Sequence, residues 1–478
     1  MPWRCNIAAS QATSRQSLTI LHRIKRDRRL FSLHHRASSP WLWIPIVTGI
    51  AASIRFWQLH RFNALVFDEV YFVEFAQAYR QGTAPSDAHP PLGKYIIATS
   101  IQLGTWLKSS AKIASDTELF PFAYRQANAF FGSLIPLAVI AIARTIRQHK
   151  RPVQKGSTWQ FSILCGLLVA IDNLFVVESR YALLNVHLVL LGLTGHWLWL
   201  KATAPFQKQT PVRNRCLRAA CGICLGAAIA VKWNALGYLL SLIIWEISTD
   251  CNPKKLKHLA TLVLTAAIAY SLIWWPHLHI AQENFLTVHA NLFQFHHTLS
   301  SNGHSACSRW YSWPLLIRPV TYWYSSTESQ TYTVSNLGNP AIWLLSASTT
   351  LLLTISYIFK VKDRISRSVK PLARHQPVAK DRLKSYLLIS YFCNWLPWIL
   401  IQRCTFNYLY MPAAVFSFMM LAWLLNQWLN SPIKTTRTIA YLLLSLIAIA
   451  FLFWLPLALG LPLTPEQLQK RWLLKSWI

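Results

Sequence analysis

Acidic residues are scarce in this 478-residue chain, so their grouping carries information: of 16 Asp and Glu, two stand adjacent in Phe67-Asp68-Glu69-Val70-Tyr71-Phe72, just past the first apolar run. A carboxylate at a membrane-facing cleft can serve as general base toward an acceptor hydroxyl. The bland alternative is a solvated acidic loop. A second group follows in Asp87-Ala88-His89-Pro90-Pro91-Leu92-Gly93-Lys94. Its prolines fix an extended entry, and Gly93 allows a tight turn into the next helix. This is either a helix-entry turn or a rigid wall that sets Asp87, His89 and Lys94 near a charged ligand. Cations stand at apolar-segment ends: Arg125, Arg180 after Glu178-Ser179, Lys232 in Val231-Lys232-Trp233, and Arg403 in Ile401-Gln402-Arg403-Cys404-Thr405-Phe406. Cations beside a bilayer are costly unless paired. A lipid phosphate would pair them through charge-assisted hydrogen bonds; snorkelling to headgroups is the competing reading. His289, His296, His297 and His304 match no common helical zinc spacing, so no metal is expected. Cys221 and Cys224 read as two small thiols in an apolar helix. Cys307 and Cys404 can both lie near the outer face, where one disulfide is conceivable.

The elements that must position these residues are apolar. The chain is 53% hydrophobic, only 13% charged, and carries 23 Trp. Its apolar residues fall in long runs, which predicts an all-α polytopic membrane protein. Spans are expected at 41–57, 126–146, 160–178, 181–200, 218–231, 234–247, 258–276, 340–360, 385–402, 408–429 and 439–462, about eleven transmembrane helices. The 94–108 stretch, interrupted by Gln102, Gly104 and Lys108, reads as an interfacial or re-entrant helix. Residues 1–40 form a basic arm without a signal-peptide pattern. The net charge of +31 sits mainly in short stretches between spans. With the N-terminus inside, the loops 147–159, 201–217, 248–257, 361–384 and 430–438 are all basic, as the positive-inside rule requires. That pattern, without a basic face of interleaved aromatics, argues against a nucleic-acid partner. The expected organisation is a basic arm (1–40), an N-terminal catalytic membrane module (41–276) with a first outer loop (58–125), a second outer loop (277–339), and a C-terminal four-helix module (340–478).

These stretches together resemble the protein O-mannosyltransferases. Phe67-Asp68-Glu69-Val70 with Asp87 through Lys94 resembles the family's first outer loop. Asp172-Asn173-Leu174-Phe175, Ser179-Arg180-Tyr181-Ala182-Leu183-Leu184 and Val231-Lys232-Trp233 follow in family order. Trp313-Pro314-Leu315-Leu316-Ile317-Arg318-Pro319-Val320, Leu337-Gly338-Asn339-Pro340 and Arg403 through Tyr408-Leu409-Tyr410-Met411-Pro412 resemble its C-terminal part. The family usually has His at Tyr71, often Asp at Asn185, and tends to carry a Tyr where Ala306-Cys307 stands. Eukaryotic members insert a β-trefoil domain in the second outer loop; the loop here is too short for one, like the bacterial form.

The resemblance implies a GT-C-type glycosyltransferase with two long outer loops, sited in the cell membrane with its active site on the outer face. It implies transfer of mannose from a polyprenyl-phosphate carrier to Ser or Thr of proteins outside the cytoplasm, with inversion and without a cofactor. Asp68 would be the base and Glu69 would orient the acceptor. Arg403, helped by Arg125, would hold the lipid phosphate. Asp87, His89, Lys94, Arg180 and Lys232 would support the loop or the donor. The nearest rival is a related transferase acting on a lipid or glycan, as an aminoarabinose transferase does. A transporter is a more distant one, since no internal repeat is visible.

Overall fold

A computed structural model describes residues 40–110, 120–148, 155–204, 210–249, 253–298, 304–368 and 381–478. The basic arm and the middle of the 361–384 loop lie outside the described residues. Each expected span is occupied by helix. The first is α1 (Pro40–Phe56), and the segment expected to be the first outer loop then folds as α2 (Glu69–Arg80) and α3 (Leu92–Ser110). The membrane helices continue as α4 (Pro121–Gln148), α5 (Lys155–Ala170), α6 (Asn173–Arg180), α7 (Asn185–Ala202), α8 (Pro211–Ile229), α9 (Leu236–Thr249) and α10 (Pro253–Ala281). After α11 (Phe285–Thr298) come a hairpin of β1 (Thr321–Ser326) and β2 (Thr331–Ser335), then α12 (Pro340–Ser368), α13 (Arg382–Trp395), α14 (Met411–Leu429), α15 (Lys434–Leu459) and the short α16 (Pro465–Gln469). Among the described residues, five helical stretches, α4, α10, α12, α15 and the run Asn407–Leu429 that contains α14, are long and apolar enough to cross a membrane, or six if the bent α5–α6 pair is one span. The remaining helices at the expected spans are shorter or more polar.

One sequence expectation needs correction. The 160–178 span is not one helix: α5 and α6 meet at 58°. The cause is Asp172, fully buried at the break. It caps α6 by accepting from Phe175 N at 3.2 Å, and it also accepts from Asn339 N (2.9 Å) and Trp343 Nε1 (2.8 Å) at the head of α12. A short polar residue that caps the next helix competes with continuing the previous one. The fold is helical in class, as expected, with one small addition: β1 and β2 pair antiparallel between α11 and α12. Their Thr, Tyr, Trp and Val residues suit a half-buried pleated surface. Leu463 bridges Thr331 on the far side of β2, and Trp477 Nε1 donates to Leu316 O at 2.7 Å, so the C-terminal tail straps this loop down.

The helix α14 is the centre of the bundle, with 89% of its apolar window buried, packed against α5, α12 and α13. All eight residues of α6 are buried beside it. The C-terminal ends of α1 and α6 and the N-terminal end of α4 meet at the last residues of α1 and those that follow it, where Arg180 and Arg125 donate to backbone carbonyls.

Asp172→Ala strands three buried N–H donors, so it should destabilise the folded chain by about 2–4 kcal/mol. Thermal unfolding of the detergent-solubilised protein against wild type measures this; an unchanged Tm would show that the bend does not depend on Asp172.

Candidate active site

Asp68 occupies the N-cap position of α2, yet its side chain makes no capping hydrogen bond. The backbone before it is strained: Phe67 has φ of 54°, a left-handed conformation that is an outlier for a bulky residue. Packing holds it there. The Phe67 ring stacks on Tyr322 at 4.2 Å and meets Phe406 (6.3 Å) and Tyr408 (6.1 Å) edge-on. Strain of this kind persists where the surroundings over-determine it, typically at functional sites.

The next residue anchors the turn. Glu69 is fully buried. Its Oε1 accepts from Arg125 Nε (2.9 Å) and Ala182 N (2.7 Å). Its Oε2 accepts from Arg125 Nη2 (2.7 Å) and Val66 N (2.9 Å). Arg125 also donates from Nη1 to Leu59 O and Phe62 O, both at 3.0 Å, and from Nη2 to Ala64 O at 2.8 Å. Tyr124 and Tyr181 flank its guanidinium. Every N–H of Arg125 and both Glu69 oxygens are thereby engaged. This corrects the expected roles of both residues: Arg125 has no donor left for a lipid phosphate, and Glu69 no acceptor capacity for a peptide. They build the loop that presents Asp68.

Asp68 lines a cavity of about 510 Å³, together with Phe72, Phe75 and Tyr79 of α2, the 84–91 loop, Trp274 and His277 of α10, and Leu292 and Phe295 of α11. Within the described residues no hydrogen bond engages its carboxylate. Burial pushes its pKa up to about 6, against the pull of Lys232; Asp87 adds to the rise and His304 opposes it. The opposite wall is tied up. Lys94, 1% exposed, donates to Asp87 Oδ2 at 2.5 Å and to His89 O at 2.6 Å. Leu92 N donates to Ala230 O at 3.0 Å, fixing the loop to the end of α8. Gly93 lies within α3 with no positive φ. Its requirement is close approach, since a Cβ there would lie 2.6 Å from Leu184 Cδ2. Burial first, then Lys232 and Lys94, hold the His89 imidazole well below its usual pKa, so it is neutral. Its ring lies 6.0 Å from that of His296.

Lys232 is close enough for its charge to bear on Asp68, and Arg403 close enough to bear on Lys232 and His89. Lys232 is buried, packs over the Tyr408 ring at 5.4 Å, and donates to Asn185 Oδ1 at 3.4 Å. Arg403 is half-buried and uses one donor on Cys404 O at 3.1 Å. Arg180 does not join them: it donates to Ile54 O, Arg55 O, Trp57 O and Gln58 O, closing the end of α1 onto α6. Its support is to the chain entering the first loop. Beneath Lys232 lies a buried network that motif reading passed over. Asn185 Nδ2 donates to Glu178 Oε2 at 2.9 Å, and Tyr322 OH donates to Glu178 Oε1. Asn336 Nδ2 donates to Tyr322 OH (3.1 Å) and to Asn407 Oδ1 (2.8 Å). The signal for Glu178 was available, since an acid inside an apolar segment is a functional candidate by default. Tyr322, Asn336 and Asn407 had none. The conceivable disulfide is present, joining Cys307 to Cys404.

The helical bundle has the architecture of the GT-C glycosyltransferases, as its structural matches show. The structure superposes on a Saccharomyces cerevisiae protein O-mannosyltransferase complex bound to the sugar donor, with a TM-score of 0.74 at 16% identity, covering 92% of this chain and 93% of that one. It also matches ArnT from Cupriavidus metallidurans bound to undecaprenyl phosphate, with a TM-score of 0.55 at 15% identity, covering 87% and 65%. The family model for dolichyl-phosphate-mannose-protein mannosyltransferase matches residues 45–293, and that for the C-terminal four-helix region of protein O-mannosyltransferase matches 281–477. The chain belongs to the protein O-mannosyltransferase family. Among curated relatives, protein O-mannosyltransferase 1 of Drosophila pseudoobscura pseudoobscura is 30% identical over 42% of this chain, which spans only 22% of that protein. A polyprenol-phosphate-mannose–protein mannosyltransferase of Mycolicibacterium smegmatis is 23% identical, with 92% of each chain covered.

The raised Asp68 pKa sets the direction of a pH profile. The base must be ionised to accept a proton, so kcat/KM for transfer should be level above pH 6 and fall about tenfold per unit below it. A profile flat down to pH 4.5 would remove Asp68 as the titrating base. Arg125→Ala leaves the Glu69 carboxylate buried without its counter-charge, which should cost about 3–5 kcal/mol of stability. A lowered Tm is the expected result. An unchanged Tm with a weaker apparent donor affinity would instead return Arg125 to the lipid phosphate.

Proposed function

We propose that this chain transfers mannose from polyprenyl-phosphate mannose to Ser or Thr hydroxyls of extracytoplasmic proteins. The observation that carries the reading is the Asp68 carboxylate on a cavity wall, without a hydrogen bond among the described residues and within electrostatic reach of Lys232, which in turn lies within reach of Arg403. Asp68 takes the proton from the acceptor hydroxyl as its oxygen attacks the anomeric carbon. The bond from that carbon to the phosphate oxygen breaks on the opposite side, so the sugar configuration inverts. The polyprenyl phosphate departs with one more negative charge than it had as a diester. Preplaced cations stabilise that charge most where it develops, which lowers the barrier by several kcal/mol. Arg403 is one such cation, and Lys232 takes the place that Arg125 cannot fill. Holding the hydroxyl against the carboxylate supplies the rest through effective concentration. The aromatic walls of α2, α10 and α11 suit both a sugar ring and an extended peptide.

The outer face of the cell membrane is the proposed location, with the N-terminus inside. Basic residues cluster at the opposite ends of the helices, as in Lys254, Lys255 and Lys257 at the start of α10. The Cys307–Cys404 disulfide agrees, since disulfides persist in oxidising compartments.

Membranes carrying the protein, given radiolabelled polyprenyl-phosphate mannose and a Ser/Thr-rich peptide, should label the peptide. Asp68→Asn should lower the rate by about a thousandfold or more while the protein remains folded. Transfer that survives in this variant would take the base role from Asp68. Failure of the wild type to label peptide would direct the search to lipid or glycan acceptors.

A further inference from the structure

Arg403 lies on a stretch without regular secondary structure between the short helical turn Leu396–Leu400 and the turn Asn407–Tyr410. Its neighbours Ile401 and Gln402 are exposed. A long, flexible cation on such a stretch would lose much of its value as a phosphate ligand, because ordering it costs conformational entropy each time donor binds. Three links act against that motion at the adjoining residues. Cys404 is bonded to Cys307, across 97 residues of sequence and with Cα atoms 5.2 Å apart. Ser308 N donates to Thr405 O at 2.8 Å, and Thr405 Oγ1 donates to Ser308 O at 2.6 Å. The partner segment is itself fixed. Trp313 Nε1 donates to Ser308 Oγ at 3.0 Å, and Trp395 Nε1 donates to Trp310 O at 3.0 Å. The clamp also reaches the catalytic turn, since Phe406 lies against both His304 and Phe67.

We propose that the Cys307–Cys404 disulfide is a positioning element of the transfer reaction: it holds the Arg403 guanidinium where the leaving lipid phosphate forms. The inference rests on Arg403 serving the donor phosphate. The two cysteines touch neither donor nor acceptor and act through Arg403. Loss of the bond leaves the 403–405 backbone held by two hydrogen bonds alone, and a displacement of about 1 Å at a positioned group is enough to slow a reaction about a hundredfold.

The test uses the full chain in detergent, with initial rates measured against polyprenyl-phosphate mannose and, separately, against a Ser/Thr-rich peptide. Four proteins are compared: wild type, Cys307→Ser with Cys404→Ser, Arg403→Ala, and the triple variant. The expected result for the double serine variant is a fall of about ten- to a hundredfold in donor kcat/KM, with peptide KM little changed. Arg403→Ala should lower donor kcat/KM at least as much, and the triple variant should be no worse than Arg403→Ala, because the cysteines act through that side chain. Wild type reduced with dithiothreitol, its two thiols confirmed by maleimide labelling, should match the double serine variant, which should itself be indifferent to the reductant. This arm decides the question if the serine variant fails to fold. Unchanged donor kinetics on loss of the disulfide, with Arg403→Ala still impaired, would overturn the clamp and leave the phosphate role of Arg403 standing. Unchanged donor kinetics in Arg403→Ala would overturn that role and the clamp with it. Additive losses in the triple variant would show that the disulfide acts elsewhere and would also overturn the proposal.

Discussion

The ion pair between Glu69 and Arg125 is the constraint on which the site depends. Neither charge would survive burial alone, so each makes the other possible. Together they gather backbone groups from residues 59, 62, 64, 66 and 182 around one point. That point lies one residue from Asp68. The pair satisfies carbonyls that the irregular 58–68 chain would otherwise bury unpaired, and it draws the end of α6 against the start of α2. With Glu69 held this way, Asp68 is set at the cavity wall, with the strained Phe67 behind it. The stack on Tyr322 completes the support from the other side.

The two halves of the chain meet at this place for an electrostatic reason as well as a steric one. The interior of a membrane bundle tolerates a lysine only beside acids or acceptors. Lys232 finds Asn185, and through it Glu178, with Asp68 near enough to be felt. Tyr322 and Asn336, from the hairpin, bind the same Glu178 network to Asn407. One contiguous set of polar groups thus runs from α6 and α7 to the second outer loop and the head of α14. A satisfied network of this kind rigidifies the site, because low local dielectric makes each lost bond expensive.

Much of this was legible in the residues themselves. Acids are so few that Asp68 and Asp87 drew attention by scarcity, and Lys232 and Arg403 did so by standing where cations are costly. Asp68 and Asp87 do line one cavity. Arg125 and Arg180 show the limit. An arginine at the outer end of an apolar run has one sequence signature whether it faces a ligand or is consumed by backbone carbonyls. The difference lies in which carbonyls a distant loop delivers. The acceptor-orienting role that the resemblance implies for Glu69 meets the same limit, since Arg125, Val66 and Ala182 take both of its oxygens. The bend at Asp172 was invisible to hydropathy, which averages over an isolated polar residue in an apolar window.

What the sequence by itself determined is the class of environment and the inventory of chemistry: apolar runs that can be stable only as helices in lipid or in a bundle interior, basic stretches between them, and a few acids and cations set apart at helix ends. Those follow from transfer free energies, which depend on residue type and local context. What tertiary structure decided is which of the charged groups remain available. Arg125, Glu69 and Arg180 are engaged by partners far off in the chain and Lys94 by Asp87 and His89 of its own loop, while among the described residues Asp68 and most of the Arg403 guanidinium are left without one. A hydrogen bond satisfies a group completely or leaves it open according to differences of less than an ångström, and such distances are set by packing across the whole bundle.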